Sequence, residues 1–198
     1  MKKIIVHLFD VNEIDILRLS SSIFINENDI ENANKYRFEL DRKERLASSY
    51  FKNKYVGEYH VDKNGKPVSD KCFFNISHSK GVVVFVMDEK SPIGVDVEMI
   101  KPVEEDFKKY VCSMEEYNRI KNDEDFFKIW TNKESLVKAF GTGINKKVNN
   151  ILGLPLNGQR IYQEKIYQSR ILSYNNYIIA VSLETNQDFE IEIIKEKL

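Results

Sequence analysis

Two acidic residues alternate with apolar ones in the segment SPIGVDVEM. In a β-strand, Asp96 and Glu98 lie on one face with Gly94, and their Cα atoms are about 6.5 to 7 Å apart, within reach of one hard cation. Gly94, which has no side chain, is expected to leave space beside the two acids. The alternative is an exposed strand face, which commonly carries acids. The preceding segment GVVVFVM is almost continuously apolar, which is typical of an interior sheet where like charges need a counter-ion.

A second charged group lies on a predicted helix, DEDFFKIWTNKESLVKAFG. Lys133 falls in the middle of an apolar arc with Trp130, and Glu134 and Lys138 lie one turn apart on its flank. A lysine is tolerated there at the mouth of an anionic pocket. Two alternatives stay open: the Lys133 stem lies along the core, and Glu134 and Lys138 form a surface pair that contributes about 0.3 to 0.5 kcal/mol.

These charges together predict a site for magnesium and phosphate. Carboxylate oxygens of the strand acids and Glu134 suit Mg²⁺, while the lysines suit phosphate oxygens or a leaving group. The segment FFNISHSKG adds Ser77, His78 and Ser79, which could donate to phosphate oxygens. Taken alone, His78 fits a satisfied loop histidine better than a phosphate ligand.

Composition excludes several classes of protein. The 198 residues carry a net charge of −1, so we expect no nucleic acid as partner, and two cysteines and three scattered histidines argue against a zinc enzyme. No apolar run would span a membrane, and the start lacks secretory features, so a cytoplasmic location is expected. Residues 35–66 hold nine Lys or Arg against five acids, which suits a polyanionic ligand or an acidic partner; a solvated helix face is the alternative.

The order of predicted elements indicates an α+β protein. Two α/β halves of similar plan are expected at 1–100 and 101–198, tightly packed because no linker rich in Gly, Ser or Pro separates them. The predicted elements are a strand at 1–11, helices at 29–38 and 41–59 with Asp41 as N-cap, a turn at 62–67, strands at 72–76, 81–87 and 91–99, helices at 113–120 and 123–141 ended by Gly141 or Gly143, and an antiparallel meander at 160–194 with a turn at 175–176.

Four short blocks occur in an order that resembles the signature of the 4′-phosphopantetheinyl transferases, in particular the longer, surfactin-synthetase-activating type. The blocks are GKP at 65–67, FNISHS at 74–79, IGVDVE at 93–98 and WTNKESLVKAFGTGI at 130–144. A looser match covers 42–46, and the strands after about residue 156 match no motif. The resemblance implies a 4′-phosphopantetheinyl transferase-like fold with two α/β halves in a pseudo-two-fold arrangement. It also implies a monomer, whereas the short class of the family forms trimers.

The resemblance also implies roles for individual residues. Mg²⁺ on the pyrophosphate of coenzyme A would be held by Asp96, Glu98 and Glu134. Coenzyme A itself would be bound by these residues: Lys138 at the departing phosphate, Ser77 and His78 at the nucleotide phosphates, Lys66 with Pro67 and Arg45 on the adenosine 3′-phosphate side, and Lys133 in support of the same anionic site.

The implied reaction moves the phosphopantetheine arm of coenzyme A onto a serine of an acyl or peptidyl carrier protein and releases adenosine 3′,5′-bisphosphate. The pathway would be fatty-acid or secondary-metabolite synthesis. Glu134, directly or through a metal-bound water, would take the serine proton. Two rival functions are a magnesium-dependent nucleotide or coenzyme A pyrophosphohydrolase with the same three acids, and a non-catalytic carrier-binding or coenzyme-A-sensing module, which would not need all four of Asp96, Glu98, Glu134 and Lys138.

Overall fold

The protein is described by a computed structural model that covers residues 1–62, 65–142 and 157–198. Six α-helices are formed within these ranges: α1 (Ile16–Ser20), α2 (Glu27–Asn34), α3 (Glu39–Phe51), α4 (Glu105–Val111), α5 (Met114–Tyr117) and α6 (Asp123–Phe140). The strands are β1 (Lys2–Asp10), β2 (His60–Val61), β3 (Pro67–Val68), β4 (Phe73–Ser79), β5 (Val82–Asp88), β6 (Ile93–Met99), β7 (Gly158–Tyr162), β8 (Lys165–Tyr174), β9 (Tyr177–Glu184) and β10 (Phe189–Lys195).

Eight of these strands form two four-stranded sheets. The first has the order β10-β1-β5-β4, and the second has the order β6-β9-β8-β7; β2 and β3 form a separate pair. Most neighbours are antiparallel, but β1 and β10 pair in parallel. The edge strands β4 and β6 are therefore in different sheets, although only β5 lies between them in the sequence.

The main core lies between the two sheets. Its side chains come from alternate positions of β1, β5, β6 and β9, including Val6, Val84, Val95 and Val181, each with 0% of its surface exposed. The opposite face of the first sheet packs on α3, and that of the second sheet packs on α6. This alternation is the period-two pattern of a strand buried on both faces.

Helix α6 lies against β6 at an unusually short distance because β6 has a glycine at the contact. A Cβ atom on Gly94 would lie 2.1 Å from the Ser135 carbonyl oxygen and 2.5 Å from the Ala139 nitrogen. The sequence suggested that Gly94 leaves open space beside the acids. The structure corrects this, since the helix backbone fills that space.

The α+β class is confirmed, and most predicted elements are found near their expected positions. Gly141 ends α6 in the left-handed conformation, with φ of 74°, as expected for a C-terminal glycine cap. Asp41 is not the N-cap of α3, because the helix begins earlier, at Glu39 after Phe38. Asp41 instead lies in the first turn, where its charge is favourable to the helix dipole. Helices α1 and α4 were not predicted.

The predicted meander is correct for β7, β8 and β9, with Asn175 at φ of 49° in the turn between β8 and β9. It is wrong for β10, which leaves the second sheet and pairs with β1. Sheet membership also crosses the boundary expected at residue 100, since β6 belongs to the second sheet and β10 to the first. The division at residue 100 and the pseudo-two-fold arrangement stay predictions. Gly143 and the centre of the turn at 62–67 lie outside the described residues.

We predict that Gly94→Ala destabilises the protein by about 1 to 3 kcal/mol, because the added methyl group forces α6 away from β6. Urea unfolding followed by circular dichroism measures this change. Gly57→Ala is the control, since its φ of 75° is strained for alanine but no atom lies within 4 Å of the new methyl group. A Gly94→Ala protein as stable as the unmutated protein would contradict the close contact.

Candidate active site

Helix α6 and strand β6 bring a lysine and a buried aspartate into contact. Lys138 Nζ lies 2.6 Å from Asp96 Oδ1 and donates a second hydrogen bond, of 3.0 Å, to Ser77 Oγ. Ser77 in turn donates to Asp96 Oδ1 at 2.8 Å. Lys138 therefore does not lie on a merely solvated helix flank. It is directed at the acids of β6 and at the end of β4.

The second acid of β6, Glu98, is held on both of its oxygens. Ser79 Oγ donates to Oε2 at 2.9 Å, and the indole Nε1 of Trp130 lies 3.3 Å from Oε1. In the structure the Ser79 hydroxyl donates to Glu98, and its donation to a phosphate stays a prediction. Trp130 was predicted only as part of an apolar arc, and its polar edge reaches the acids as well.

The two sheets meet at this site through side chains rather than strand pairing. Alternate residues of β4 reach β6: Asn75 Oδ1 accepts from the Val95 amide at 3.0 Å, and Ser79 Oγ accepts from the Met99 amide at 3.2 Å. Together with the Ser77 contact, these bonds fix β4 beside β6. They occupy backbone donors that would otherwise be unsatisfied at a sheet edge.

The acids form an electrostatically coupled group. Burial, followed by repulsion from Asp96 and Glu98, raises the pKa of Glu134 to about 7, although Lys138 partly opposes this. Burial likewise raises the pKa of Asp96, against the attraction of Lys138. A carboxyl group with a pKa near 7 can exchange a proton at neutral pH, which is the property required of a general base.

The donor set fits Mg²⁺ in its chemistry. Asp96 Oδ2 is buried without a hydrogen-bond partner, and such an atom is satisfied by a cation. Glu98 and Glu134 supply further carboxylate oxygens, the ligands that Mg²⁺ prefers. Within the described residues, no three acidic, imidazole or thiol side chains are grouped closely enough to hold a metal ion as they stand. An ion bound by all three acids would therefore require at least one side chain to turn.

A basic cavity adjoins the acid cluster. Its volume is about 190 Å³, and its lining includes Arg45, Lys66, Pro67 and His78. Lys66 links the two regions, because its Nζ donates to the carbonyl oxygen of Lys138 at 3.0 Å. Burial lowers the pKa of Lys66. The structure thus places these predicted residues together on the far side of β4 from Ser77.

His78 and Ser77 point to opposite faces of β4, since neighbouring residues of a strand alternate. His78 lies on the α3 side, where its Nδ1 is 2.9 Å from Glu44 Oε2. Glu44 is buried and also accepts a hydrogen bond of 2.7 Å from the Gly81 amide. The hydrogen bond to Glu44 is the main cause that raises the pKa of His78.

Lys133 is buried, as its position in the apolar arc predicted, but it lies outside the acid cluster. Its Nζ forms an ion pair of 2.7 Å with Glu116 Oε2 and donates to the Val111 carbonyl at 2.8 Å. Only 3% of the Lys133 side chain and 1% of the Glu116 side chain are exposed. The expected place at the mouth of an anionic pocket is corrected: one step along a helix rotates by 100°, so Lys133 and Glu134 face different neighbours.

Sequence reasoning missed Glu44 and Glu116 as partners of predicted residues. Glu44 could have been suspected from a charge on an apolar helix face, the same signal that singled out Lys133. Glu44 precedes Ala47 by three residues and Phe51 by seven, so the three residues share one face of the helix. Ala47 and Phe51 are both fully buried. Which basic side chain each acid would meet depends on tertiary packing, and the sequence alone does not supply it.

Comparison with known proteins supports the resemblance seen in the sequence. Residues 92–182, slightly less than half of the chain, match the 4′-phosphopantetheinyl transferase superfamily. The matched segment includes β6 and α6, and hence Asp96, Glu98, Glu134 and Lys138, while the residues of the basic cavity precede it.

Individual members of the 4′-phosphopantetheinyl transferase superfamily align with part of the chain. The chain is 29% identical to the 4′-phosphopantetheinyl transferase psf-1 of Bacillus pumilus, over 57% of this chain and 56% of that protein. It is 32% identical to the 4′-phosphopantetheinyl transferase Sfp of Bacillus subtilis (strain 168), over 50% of this chain and 48% of that protein. The chain thus spans about half the length of the curated relatives it matches.

Lys133→Met is expected to lower the free energy of unfolding by about 3 to 5 kcal/mol, because it leaves Glu116 charged and buried without its lysine partner. Urea unfolding measures the loss. The double variant Lys133→Met/Glu116→Gln removes both charges. The amide oxygen of the new glutamine side chain can still accept from the Ser113 backbone amide. The double variant should recover more than half of the lost stability. A loss below about 1 kcal/mol in the single variant would show that the pair is exposed and weak.

Proposed function

We propose that the protein is a magnesium-dependent 4′-phosphopantetheinyl transferase. It transfers the phosphopantetheine group of coenzyme A to a serine of an acyl or peptidyl carrier protein. The observation that carries this proposal is the contact of Lys138 with Asp96 and Ser77, beside Glu134 and Glu98, within the segment that matches this superfamily or next to it. Activity, substrates and partners are proposals, because the alignments cover about half of each relative.

The arrangement of charge supports coenzyme A as the substrate. Coenzyme A carries a pyrophosphate and a separate 3′-phosphate, and the protein has two adjoining regions for anions. The acid cluster with Lys138 suits a metal-bound pyrophosphate, and the cavity of Arg45, Lys66 and His78 suits a second phosphate. Pro67 lines the same cavity and offers an apolar surface beside the cations.

In the proposed reaction, the serine oxygen of the carrier attacks the phosphorus atom that bears the pantetheine arm. The bond from that phosphorus to the bridging oxygen breaks, and adenosine 3′,5′-bisphosphate leaves with the electron pair. Glu134 would accept the serine proton as the general base. Lys138 stabilises the negative charge that develops on the departing phosphate.

Asp96, Glu98 and Glu134 are the proposed ligands of Mg²⁺, which would act as a Lewis acid on the phosphoryl oxygens. The unpartnered buried oxygen of Asp96 supports this role. Ser77 and Ser79 orient the two strand acids through hydrogen bonds, as the hydrogen-bonded neighbours of ligating carboxylates commonly do.

The test is to incubate the protein with coenzyme A, Mg²⁺ and an apo carrier protein, and to weigh the carrier by mass spectrometry. The proposal predicts a carrier heavier by one phosphopantetheine group, with release of one adenosine 3′,5′-bisphosphate. Hydrolysis of coenzyme A with an unmodified carrier would instead indicate a pyrophosphohydrolase. Binding without either reaction would indicate a non-catalytic module.

Asp96→Asn should reduce transfer by at least about 100-fold while the fold is kept, because it removes a charged ligand and the partner of Lys138. Single-turnover transfer at saturating Mg²⁺ and circular dichroism measure the two effects. Asp88→Asn is the control: Asp88 is also a buried strand aspartate with a lysine partner, Lys2, but it lies outside the cluster. Transfer by Asp96→Asn at the unmutated rate would remove Asp96 from the site.

Lys138→Met should lower kcat by about 100- to 1,000-fold and weaken coenzyme A binding much less, because the charge on the leaving phosphate develops in the transition state. Single-turnover kinetics and calorimetric binding of coenzyme A separate the two effects. The matched control is Lys128→Met on the same helix, since Lys128 forms only an exposed pair with Glu124. Equal turnover in both variants would contradict a catalytic role of Lys138.

A cytoplasmic monomer remains the expected form of the protein. No helix in the described residues is both long and apolar enough to cross a membrane. Size-exclusion chromatography with light scattering tests the monomer.

A further inference from the structure

The contact between Glu44 and His78 has a geometry that is unusual for a surface ion pair. The acid is buried, with 8% of its side chain exposed, while the imidazole has 55% exposed and lines the basic cavity. Glu44 is therefore fixed inside the protein, and the histidine reaches outward from it.

Both oxygens of Glu44 have defined partners. Oε1 accepts from the backbone amide of Gly81, in the turn between β4 and β5, at 2.7 Å, and Oε2 faces His78 Nδ1 at 2.9 Å. A carboxylate is only an acceptor, so Nδ1 must carry the proton of this hydrogen bond. Nε2 is then the nitrogen left to the cavity. Fixing one ring nitrogen in this way sets the tautomer and orientation of the ring.

We propose that Glu44 is a positioning residue that holds His78 as an imidazolium with Nε2–H available to the cavity, where it binds a phosphate monoester of the substrate. The class of ligand rests on the proposed function, while the contact itself does not. Glu44 acts through His78 and does not touch the ligand.

The charged surroundings of His78 explain why a carboxylate is needed there. Lys138 opposes protonation of the ring, and Asp41 on α3 favours it more weakly than Glu44 does. Arg45, Lys52 and Lys66 line the same cavity. A fourth positive charge among these cations would be unfavourable without an acid beside it. Glu44 thus allows the cavity to present one more cation to a phosphate.

The first experiment measures His78 directly by NMR titration, which is simple because the chain has three histidines. In the unmutated protein, His78 should titrate above the ordinary value of about 6.5, with Nδ1 protonated at pH 7.5. In Glu44→Gln, which keeps the size of the side chain, its pKa should fall by about 1 pH unit. The control is Glu39→Gln, since Glu39 is an exposed acid on the same helix that pairs with Lys43, and its replacement should leave His78 unchanged.

The second experiment measures binding of adenosine 3′,5′-bisphosphate by calorimetry. At pH 7 to 7.5, Glu44→Gln should bind about 3- to 10-fold more weakly than the unmutated protein, and at pH 5.5 the two affinities should converge. The phosphate of the ligand titrates in the same way with both proteins. A pH dependence in the ratio of their two affinities therefore reports on His78.

An unchanged His78 pKa in Glu44→Gln, or an affinity ratio that does not depend on pH, overturns the proposal. If Glu44→Gln does not fold, a His78 pKa below about 6.5 in the unmutated protein is sufficient to overturn it. Loss of carrier transfer with intact binding of adenosine 3′,5′-bisphosphate would overturn only the proposed function. Absence of that binding in the unmutated protein would overturn the assigned ligand, whatever the His78 titration shows.

Discussion

The contact of helix α6 with strand β6 at Gly94 determines the geometry of the candidate site. Without a side chain at that position, the backbone of α6 lies directly on the strand. Glu134 and Lys138 are one turn apart on α6, and Asp96 and Glu98 are two residues apart on β6. Because α6 and β6 lie so close together, the side chains of both pairs form one group of charges. Any residue with a Cβ at position 94 would move Glu134 and Lys138 together away from the two acids of β6.

The seam between β4 and β6 adds the second constraint. The two edge strands belong to different sheets, and side chains of β4 bond to β6 in place of a backbone ladder. Such a junction leaves one face of β4 toward the acids and the other toward α3. The acid cluster and the basic cavity are therefore separated by a single strand, and Lys66 connects them around its edge.

The sequence predicted the local parts of the fold and site, because periodicity and short motifs carry that information. The alternation in β6 placed Asp96 and Glu98 on one face, and the helical period placed Lys133 on a buried face, both correctly. Partners distant in the chain were not predicted: Glu116 for Lys133, Glu44 for His78, and β1 for β10. These depend on how sheets and helices pack, which no window of neighbouring residues encodes.

The pairing of β1 with β10 has a consequence for the order of folding. These neighbours are separated by most of the chain, whereas β8 and β9 are joined by a turn at Asn175. Contacts between distant segments form more slowly than local ones, because closing a long loop costs conformational entropy before the contact is made. We therefore expect β10 to join the first sheet last, after β1, β5 and β4 have been synthesised and can pair. The outer edge of β1 stays open until the C-terminal strand is in place.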